Sequence, residues 1–323
     1  MKVLIIGGAG FLGANLVRRC LAEPDVQVTV MDSLDPHLHA TTGNLQEVWP
    51  RIRFVRGDLR DETLLADIVQ GQDVIFNCAA QTSHPLSIQY PLLDAEINCL
   101  GNLKLLESIR LLNSNARIVY SSSSTVIGKA LTEVVNEDHW ERPLEIYSAN
   151  KGVAEKYYRI YHTIHDLSTV VLRFANLYGP YGKGFPEFGF INYFMHLAWT
   201  DQKIRIFGTG DQTRNLLYVD DAVEIMWRAA REPRLVGESY FATGDEHLSV
   251  RDIADSIVRV FKRGRVVHIE WPDERKRIEI DRVRFSSERL RSLVDWTPGH
   301  DLESGLKRVR SLLEQQELER GRP

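Results

Sequence analysis

A glycine-rich turn near the start of the chain constrains its fold more than any other feature. Gly7, Gly10 and Gly13 follow the apolar run 3–6 in the spacing GxxGxxG, and a helical pattern begins directly after them. Glycines leave the backbone uncovered, and a helix N-terminus presents unpaired N–H groups, so a phosphate can approach closely. The same spacing also occurs in plain tight turns, so a second feature is needed to favour a dinucleotide site.

Asp32 supplies that second feature. It ends the second predicted strand about 20 residues after the glycines, where an acidic side chain binds the ribose hydroxyls of adenosine. Its carboxylate would repel a 2′-phosphate, and neither Ser33 nor Leu34 adds a compensating charge. The sequence therefore predicts an NAD site rather than an NADP site. In the turn itself, the predicted cofactor contacts are Gly7, Gly10, Phe11, Leu12 and Gly13.

Short β-rich runs alternate with helical patterns through the first half of the chain, which favours a parallel sheet covered on both faces. We predict an α/β fold: a Rossmann-type doubly wound parallel sheet in residues 1–175, with a return segment near 215–245. A smaller mixed α/β substrate-binding lobe is expected in residues 176–323. The predicted strands are 3–6, 26–31, 52–56, 74–77, 117–121 and 169–174. A long helix is expected over about 92–112, and a mobile loop at 181–189.

Composition excludes several other classes of function. A net charge of -4 gives no broad basic surface for nucleic acid. No stretch approaches the roughly 20 apolar residues of a membrane span. Three cysteines, none in a CxxC pair, give no disulfide framework and favour a reducing cytoplasm. The sequence predicts no metal site.

Tyr147 and Lys151 are four residues apart, so on a helix they are neighbours on one face. A phenol has a pKa near ~10, and making it a base at neutral pH takes about 4 kcal/mol of charge stabilisation. The Lys151 ammonium and the positive nicotinamide ring would supply this in a site closed to water. Ser123, at the end of the fifth predicted strand, would hold a reacting hydroxyl against Tyr147. We predict that these three residues are catalytic, with Tyr147 and Lys151 also contacting the cofactor.

Two further strand ends are predicted to contact the cofactor. Asp58 and Leu59 follow the third strand, and Asp58 is a candidate acceptor for the adenine amino group. The alternative is structural, because an acidic residue here also caps a helix and Asp61 alone can do so. Small residues at the end of the fourth strand let a flat ligand lie close to the backbone, and the predicted contacts there are Ala79, Ala80 and Gln81.

The order of these motifs along the chain resembles that of the extended short-chain dehydrogenase/reductase family. The resemblance is specifically to its nucleotide-sugar epimerases and dehydratases of the UDP-galactose 4-epimerase type. The resemblance covers nearly the whole length. Besides the glycine turn and Tyr147-xxx-Lys151, the matching segments are 79–81, 96–101, 121–128, 173–180, 208–221 and 296–306.

The resemblance implies further roles for individual residues. Asn98 would be a structural and cofactor-side residue, and Asn176 and Arg214 would contact the sugar diphosphate. A homodimer would form through the helices after Leu92 and after Tyr147. Three positions depart from the family pattern: Asn150 for Ser or Thr, Ile127 for Tyr and Ile146 for Pro.

The reaction type depends on the residues after Ser123. Dehydratases of this kind carry Asp-Glu there to expel water, whereas this chain has Ser124 and Thr125, which we predict to contact substrate. We therefore predict NAD-dependent epimerisation of a nucleotide-diphosphate sugar, at C4 of a UDP-hexose or UDP-hexuronate, through a transient ketone.

Other outcomes on the same site remain alternatives: a 4,6-dehydratase, a decarboxylase, a reductase, a CDP-sugar 2-epimerase or a non-catalytic NAD-binding sensor. The CDP-sugar alternative rests on a resemblance to less characterised epimerases in segments 81–85, 111–118 and 271–276. His84, in the first of these segments, either touches the sugar or caps a loop.

Overall fold

The computed structural model describes residues 1–272, 276 and 282–320. Part of segment 271–276, residues 277–281 and the last three residues of the expected second lobe lie outside these ranges. In the described residues the strands are β1 (Lys2–Ile6), β2 (Gln27–Asp32), β3 (Ile52–Arg56), β4 (Val74–Asn77), β5 (Arg117–Ser123), β6 (Val134–Val135), β7 (Ser168–Phe174), β8 (Asn176–Tyr178), β9 (Lys203–Phe207), β10 (Thr213–Tyr218), β11 (Ser239–Ala242), β12 (His247–Ser249), β13 (Arg265–Ile269) and β14 (Arg284–Phe285).

Helices connect most of these strands. The α-helices of the described residues are α1 (Phe11–Leu21), α2 (Glu62–Ile68), α3 (His84–Gln89), α4 (Pro91–Ala95), α5 (Gly101–Leu112), α6 (Ile146–His165), α7 (Phe190–Trp199), α8 (Val219–Ala229), α9 (Val250–Phe261), α10 (Glu288–Leu293) and α11 (Leu302–Arg320). Among the described helices, no segment is long and apolar enough to cross a membrane.

The central sheet has seven strands in the order β3-β2-β1-β4-β5-β7-β11, and every neighbouring pair is parallel. The order reverses between β1 and β4, so the connections leave in opposite directions there and a crevice opens at the carboxyl ends of both strands. The predicted Rossmann-type doubly wound sheet is confirmed. The six predicted strands agree with β1–β5 and β7 within two residues at every end.

Side chains alternate between the two faces of the sheet, as the two-residue period of a strand requires. On β1, Val3 and Ile5 pack into one core with α1 and α8, whereas Leu4 and Ile6 pack into another with α2, α5 and α6. All four side chains are at most 1% exposed. Burying an aliphatic side chain this completely contributes about 1.5–3 kcal/mol, so both helix layers are held firmly on the sheet.

A separate core lies beyond the central sheet. It joins α7, α9 and α11 with β9 and β10, and its largest side chains include Phe194, Tyr218 and Phe261. Strands β8, β10 and β12 form one small sheet, and β9 pairs with β13 in another. The assignment of residues 176–323 to a substrate-binding lobe stays a prediction. Within the described part of this range, β11 and α8 belong to the central sheet and its helix layer, and we call the remainder the second lobe below.

The long helix expected over about 92–112 contains a local change of geometry. Residues Glu96–Leu100 form a π-helical turn between α4 and α5. A π turn inserts one residue into the helix and shifts the faces of the residues that precede it. Asn98 lies within this turn and is completely buried, and the hydrophobic period of the sequence gives no sign of the turn.

Candidate active site

A cavity of about 800 Å³ lies at the carboxyl edge of the central sheet, between the sheet and the second lobe. Its wall runs from the glycine turn past the ends of β4 and β5 to the strands β9 and β10. Parallel strands bring their carboxyl ends to one edge, which is why residues distant in sequence meet here. Of the predicted site residues, those that line the cavity are Gly7, Gly10, Phe11, Leu12, Gly13, Asp32, Asp58, Leu59, Ala79, Ala80, Ser123, Ser124, Thr125, Tyr147, Lys151, Asn176 and Arg214.

The glycine turn is held tightly against its neighbours. Gly7 has a φ of +75°, and a Cβ atom there would lie 2.6 Å from the backbone nitrogen of Ala79. A Cβ atom at Gly13 would lie 2.2 Å from the carbonyl oxygen of Gly7. Larger side chains would therefore force the turn apart. The first helical hydrogen bond of α1 runs from Ala14 N to Gly10 O, so the preceding N–H groups of α1 lie at its open end.

Asp32 lies at the end of β2 and is buried beside this turn. Its carboxylate accepts hydrogen bonds from the backbone N–H groups of Ala9, at 2.9 Å, and Leu34, at 3.0 Å. Burial raises the pKa of Asp32 above its ordinary value, although both hydrogen bonds act in the opposite direction. The residue thus fixes the shape of the turn and presents an acceptor group to the cavity.

At Asp58 the structure shows the helix cap that the sequence left open, but the cap is made by Asp61. Asp61 caps α2 by accepting the N–H of Leu64, so the helix cap does not need Asp58. Asp58 instead binds the Arg60 guanidinium through both carboxylate oxygens, at 2.9 and 2.8 Å, and this hydrogen bonding lowers its pKa. Its predicted contact with adenine stays a prediction.

Gln81 and Asn98 belong to a buried hydrogen-bond network rather than to the cavity wall. The Asn98 side chain accepts from Gln81 N at 3.0 Å and donates to Gln81 O at 2.8 Å. Asp94 accepts from both side chains and from Asn150 Nδ2, at 2.7 Å. This network fixes the segment after β4, whose residues Ala79 and Ala80 do line the cavity.

Asp94 was missed by sequence reasoning. It is completely buried, and burial is the main cause that raises its pKa. An acid four residues before Asn98, on the same helical face, was the available signal. The network also explains Asn150, which departs from the family pattern, because its longer amide reaches Asp94.

The hydroxyl residues after β5 form a compact group. Ser123 Oγ lies 2.8 Å from Thr125 Oγ1 and accepts the N–H of Thr125 at 3.2 Å. The Ser123 side chain also hydrogen bonds to Tyr147, and this contact acts to lower the pKa of the phenol. The structure therefore brings Ser123 and Tyr147 together although they come from different elements.

Helix α6 carries Tyr147 and Lys151 in its first two turns, with exposed fractions of 8% and 2%. Lys151 Nζ donates to the backbone carbonyl of Ser121 at 2.7 Å and lies 4.2 Å from the centre of the Tyr120 ring. Its ammonium is thus held against the end of β5, beside the serine run.

The electrostatics of this pair differ from the simple expectation of an acidified phenol. Burial raises the pKa of Tyr147, the charge of Glu145 adds to the increase, and the Ser123 hydrogen bond opposes both. Burial also lowers the pKa of Lys151 to about 7, although Glu155 and Asp94 oppose that change. The protein's own groups therefore favour the neutral forms of both side chains.

His84 and Glu145 form a further polar pair at the same end of the cavity. His84 Nδ1 contacts Glu145 Oε1, and the His84 ring centre lies 4.9 Å from that of Tyr147. Ser148 Oγ also donates to Glu145, at 2.8 Å. Both members of the pair line the cavity, and Glu145 was not a predicted site residue. The sequence gives no signal for it, because 61 residues separate the two partners.

Asn176 and Arg214 lie on neighbouring strands of the second lobe. Asn176 Nδ2 donates to Asn215 O at 3.0 Å, and Arg214 Nη1 donates to Thr213 O at 2.8 Å. Leu216 on β10 is in register with Asn176 on β8, and both Asn176 and Arg214 line the cavity.

The fold and this cavity define a Rossmann-type protein with a nucleotide cleft. Residues 3–241 match the NAD dependent epimerase/dehydratase family, and the chain belongs to that family. Its members are NAD-dependent nucleotide-sugar epimerases or dehydratases, which confirms the resemblance seen in the sequence.

Individual relatives include both kinds of enzyme. A UDP-glucose 4-epimerase of Mycolicibacterium smegmatis is 29% identical over 96% of this chain and 97% of its own length. A dTDP-glucose 4,6-dehydratase of Streptomyces niveus is 30% identical over 89% of this chain and 87% of its own. The solved structure of a Thermus thermophilus UDP-glucose 4-epimerase in complex with NAD has a TM-score of 0.86 at 25% identity, covering 97% of this chain and 99% of that one.

NAD is the cofactor of this family, and the cavity fits it. The turn at Gly7 and Gly13 has room only for glycine and leaves the start of α1 accessible to a pyrophosphate. Asp32 presents a carboxylate at the end of β2, where adenosine hydroxyls bind in Rossmann folds. The small side chains of Ala79 and Ala80 leave the middle of the cleft open.

Proposed function

We propose that this chain is an NAD-dependent epimerase that inverts C4 of a nucleotide-diphosphate hexose or hexuronate, with UDP as the nucleotide. The observation that carries the proposal is that Ser123, Tyr147 and Lys151 lie in one cavity with the glycine turn and Arg214. The relationship to a UDP-glucose 4-epimerase over almost the full length supports the choice of nucleotide and carbon.

Each of the three catalytic residues has a distinct role in this proposal. Tyr147 Oη takes the proton from the sugar hydroxyl and later returns it, while Ser123 Oγ holds that hydroxyl in place. The Lys151 ammonium stabilises the phenolate and binds the nicotinamide ribose. When bound, NAD would supply the redox chemistry as a reversible hydride acceptor for the sugar carbon. The centre would be inverted if the sugar ketone presented its opposite face before reduction.

The cofactor would be held along the cleft by groups of different chemistry. The N–H groups at the start of α1 bind the pyrophosphate, Asp32 binds the adenosine ribose, and Asp58 with Leu59 borders the adenine. Ala79 and Ala80 contact the nicotinamide half, and Gln81 and Asn98 support them from behind through their buried network.

Epimerisation is favoured over dehydration by the residues beside Tyr147. Ser124 and Thr125 contact the sugar in this proposal, and neither is an acid that can protonate a leaving hydroxyl. These two positions therefore offer a C4 ketone no proton donor for the elimination of water. Reduction of the ketone on its other face is the expected outcome.

The proposal is tested by incubating the purified, NAD-loaded protein with single nucleotide sugars and no added reductant. We expect interconversion of a UDP-hexose or UDP-hexuronate pair that differs at C4, identified by mass spectrometry and NMR. A 4-keto-6-deoxy product would show that the protein is a dehydratase instead. A product whose mass is lower by one CO₂ would show that it is a decarboxylase. Failure of every sugar to reduce the bound cofactor would favour a non-catalytic sensor.

Arg214 gives the proposal a test on the substrate side. Its planar guanidinium matches phosphate oxygens, so Arg214→Ala should raise KM for the nucleotide sugar about 10- to 100-fold with a smaller change in kcat. Arg265→Ala, at an exposed position on β13, is the matched control. An unchanged KM in the Arg214 variant would remove this residue from the diphosphate site.

We also propose a cytoplasmic homodimer. Exposed apolar side chains on α4, α5 and α6 support the dimer, namely Leu92, Leu111, Ile160 and Ile164. The free state of all three cysteines supports a reducing compartment. Sedimentation of the wild-type protein and of Leu111→Glu tests the dimer, because a charge in an apolar interface should yield monomers.

A further inference from the structure

The loop at 181–189 in the second lobe packs against the segment that follows β2. The rings of His39 and Phe185 stack with their centres 4.0 Å apart, and Phe188 meets the edge of His39 at 5.7 Å. Tyr181 lies under the Arg18 guanidinium at 4.0 Å and donates to Glu47 at 3.3 Å. These contacts join the two lobes across one end of the cavity.

Lys183 is a partly buried cation within this junction. Its Nζ donates to the carbonyl oxygen of Leu38 and lies 4.2 Å from the centre of the Phe188 ring. Burial lowers its pKa to about 8, and the charge of Asp32 opposes that change. The lysine therefore remains largely protonated at neutral pH and faces Asp32 within the cavity that both residues line.

The hydrogen-bonding capacities of Asp32 and Lys183 are complementary. An ionised carboxylate only accepts hydrogen bonds, whereas an ammonium has three N–H donors and no acceptor. One Lys183 donor goes to Leu38 O, which leaves donors for a ligand. A ribose diol both donates and accepts, so it can bind Asp32 through its O–H groups and Lys183 through its oxygens.

We propose that Lys183 is a cofactor-binding residue that the second lobe contributes to the adenosine end of the NAD site. Its ammonium binds the ribose hydroxyl oxygens opposite Asp32, and the surrounding loop retains NAD in the cleft. The inference rests on the part of the proposed function that places the adenosine ribose at Asp32. Dissociation of NAD then requires the contacts of the 181–189 loop with His39 and Leu38 to break.

The decisive variant is Lys183→Met, which keeps the length of the side chain and removes its charge. The NAD-loaded protein is diluted into excess isotopically labelled NAD, and release of the original cofactor is followed over time. Loss of a hydrogen bond to a charged group predicts release about 10- to 100-fold faster than in the wild-type protein. Lys203→Met, at an exposed position on β9, should release NAD at the wild-type rate, and Lys183→Arg should restore slow release in part.

Retention by the loop is tested separately with Phe185→Ala, which removes the stack on His39 and leaves Lys183 in place. Faster release from this variant supports the loop contacts as a barrier to dissociation. Circular dichroism and thermal unfolding confirm that each variant is folded before release is measured. Release at the wild-type rate from folded Lys183→Met overturns the inference.

Asp32→Asn separates failure of this inference from failure of the site on which it rests. Weaker NAD binding by Asp32→Asn with unchanged release from Lys183→Met rejects only the role of Lys183. Unchanged NAD binding by both variants rejects the placement of the ribose at Asp32. Faster release from Lys183→Met supports the inference whatever the nucleotide-sugar panel yields, because the measurement does not depend on turnover.

Discussion

The two ends of the cavity each contain a lysine, but the chain supplies them in different ways. At the reaction end, Lys151 lies on α6 one turn after Tyr147, so a single helix fixes both groups. At the adenosine end, Lys183 comes from the second lobe and contacts Leu38, 145 residues away. The first arrangement lies within one helix, whereas the second depends on contacts between the two lobes. In the functions proposed above, proton transfer therefore depends on one element and cofactor retention on a junction.

Burial is the main influence on the pKa at both ends. It lowers the pKa of Lys151 to about 7 and that of Lys183 to about 8, and nearby acids only partly offset it. A buried ammonium has lost hydration, so a ligand that supplies an acceptor or a negative charge stabilises its charged form. In the proposed function, the charged form of Lys151 is stabilised by the phenolate of Tyr147, and that of Lys183 by the ribose of the bound cofactor.

The largest expected effect is a loss of activity from a change at the reaction end alone. Tyr147→Phe removes the hydroxyl that exchanges a proton with the sugar, so kcat should fall by at least about 1,000-fold. NAD content and the NAD release rate should stay near the wild-type values, because the aromatic ring and the adenosine end are intact.

Tyr90→Phe is the matched control for Tyr147→Phe, since Tyr90 is half exposed at the surface. It should keep full activity. Turnover within tenfold of the wild-type rate in the Tyr147 variant would contradict the assignment of Tyr147 as the proton-transferring group.

The next effect tests whether the reaction end serves both chemistry and the cofactor. Lys151→Met removes the ammonium beside Ser121 and should lower kcat about 100-fold, because the phenolate loses its nearest cation. It should also weaken NAD binding modestly, through the nicotinamide ribose. Steady-state kinetics and NAD titration measure the two effects.

Lys156→Met, on the same helix but exposed, should change neither kcat nor NAD binding. If Lys151→Met lowered only the affinity for NAD, both lysines would act only on the cofactor. The proposed functional difference between the two ends of the cavity would then be wrong.

Features set by local sequence were predictable, and features set by contacts across the fold were not. Buried parallel strands read as continuous apolar runs, so most of the central sheet was visible in the sequence. Tyr147 and Lys151 were recognisable because their spacing matches a helix turn. The π turn around Asn98, the Glu145 contact with His84 and the position of Lys183 depend on packing between distant segments, which no local pattern encodes.

The smallest expected effect sharpens the comparison by altering charge alone at the reaction end. After burial, the negative charge of Glu145 is the next cause that raises the pKa of Tyr147. Glu145→Gln removes that charge, so the phenol should ionise at lower pH. Because the base form of Tyr147 is the active one, the rise of kcat/KM with pH should move to lower pH, with less than about a tenfold gain at neutral pH. Glu133→Gln, at an exposed position, should leave the profile unchanged. A move to higher pH would mean that Glu145 acts mainly through its contact with His84 rather than through its charge on Tyr147.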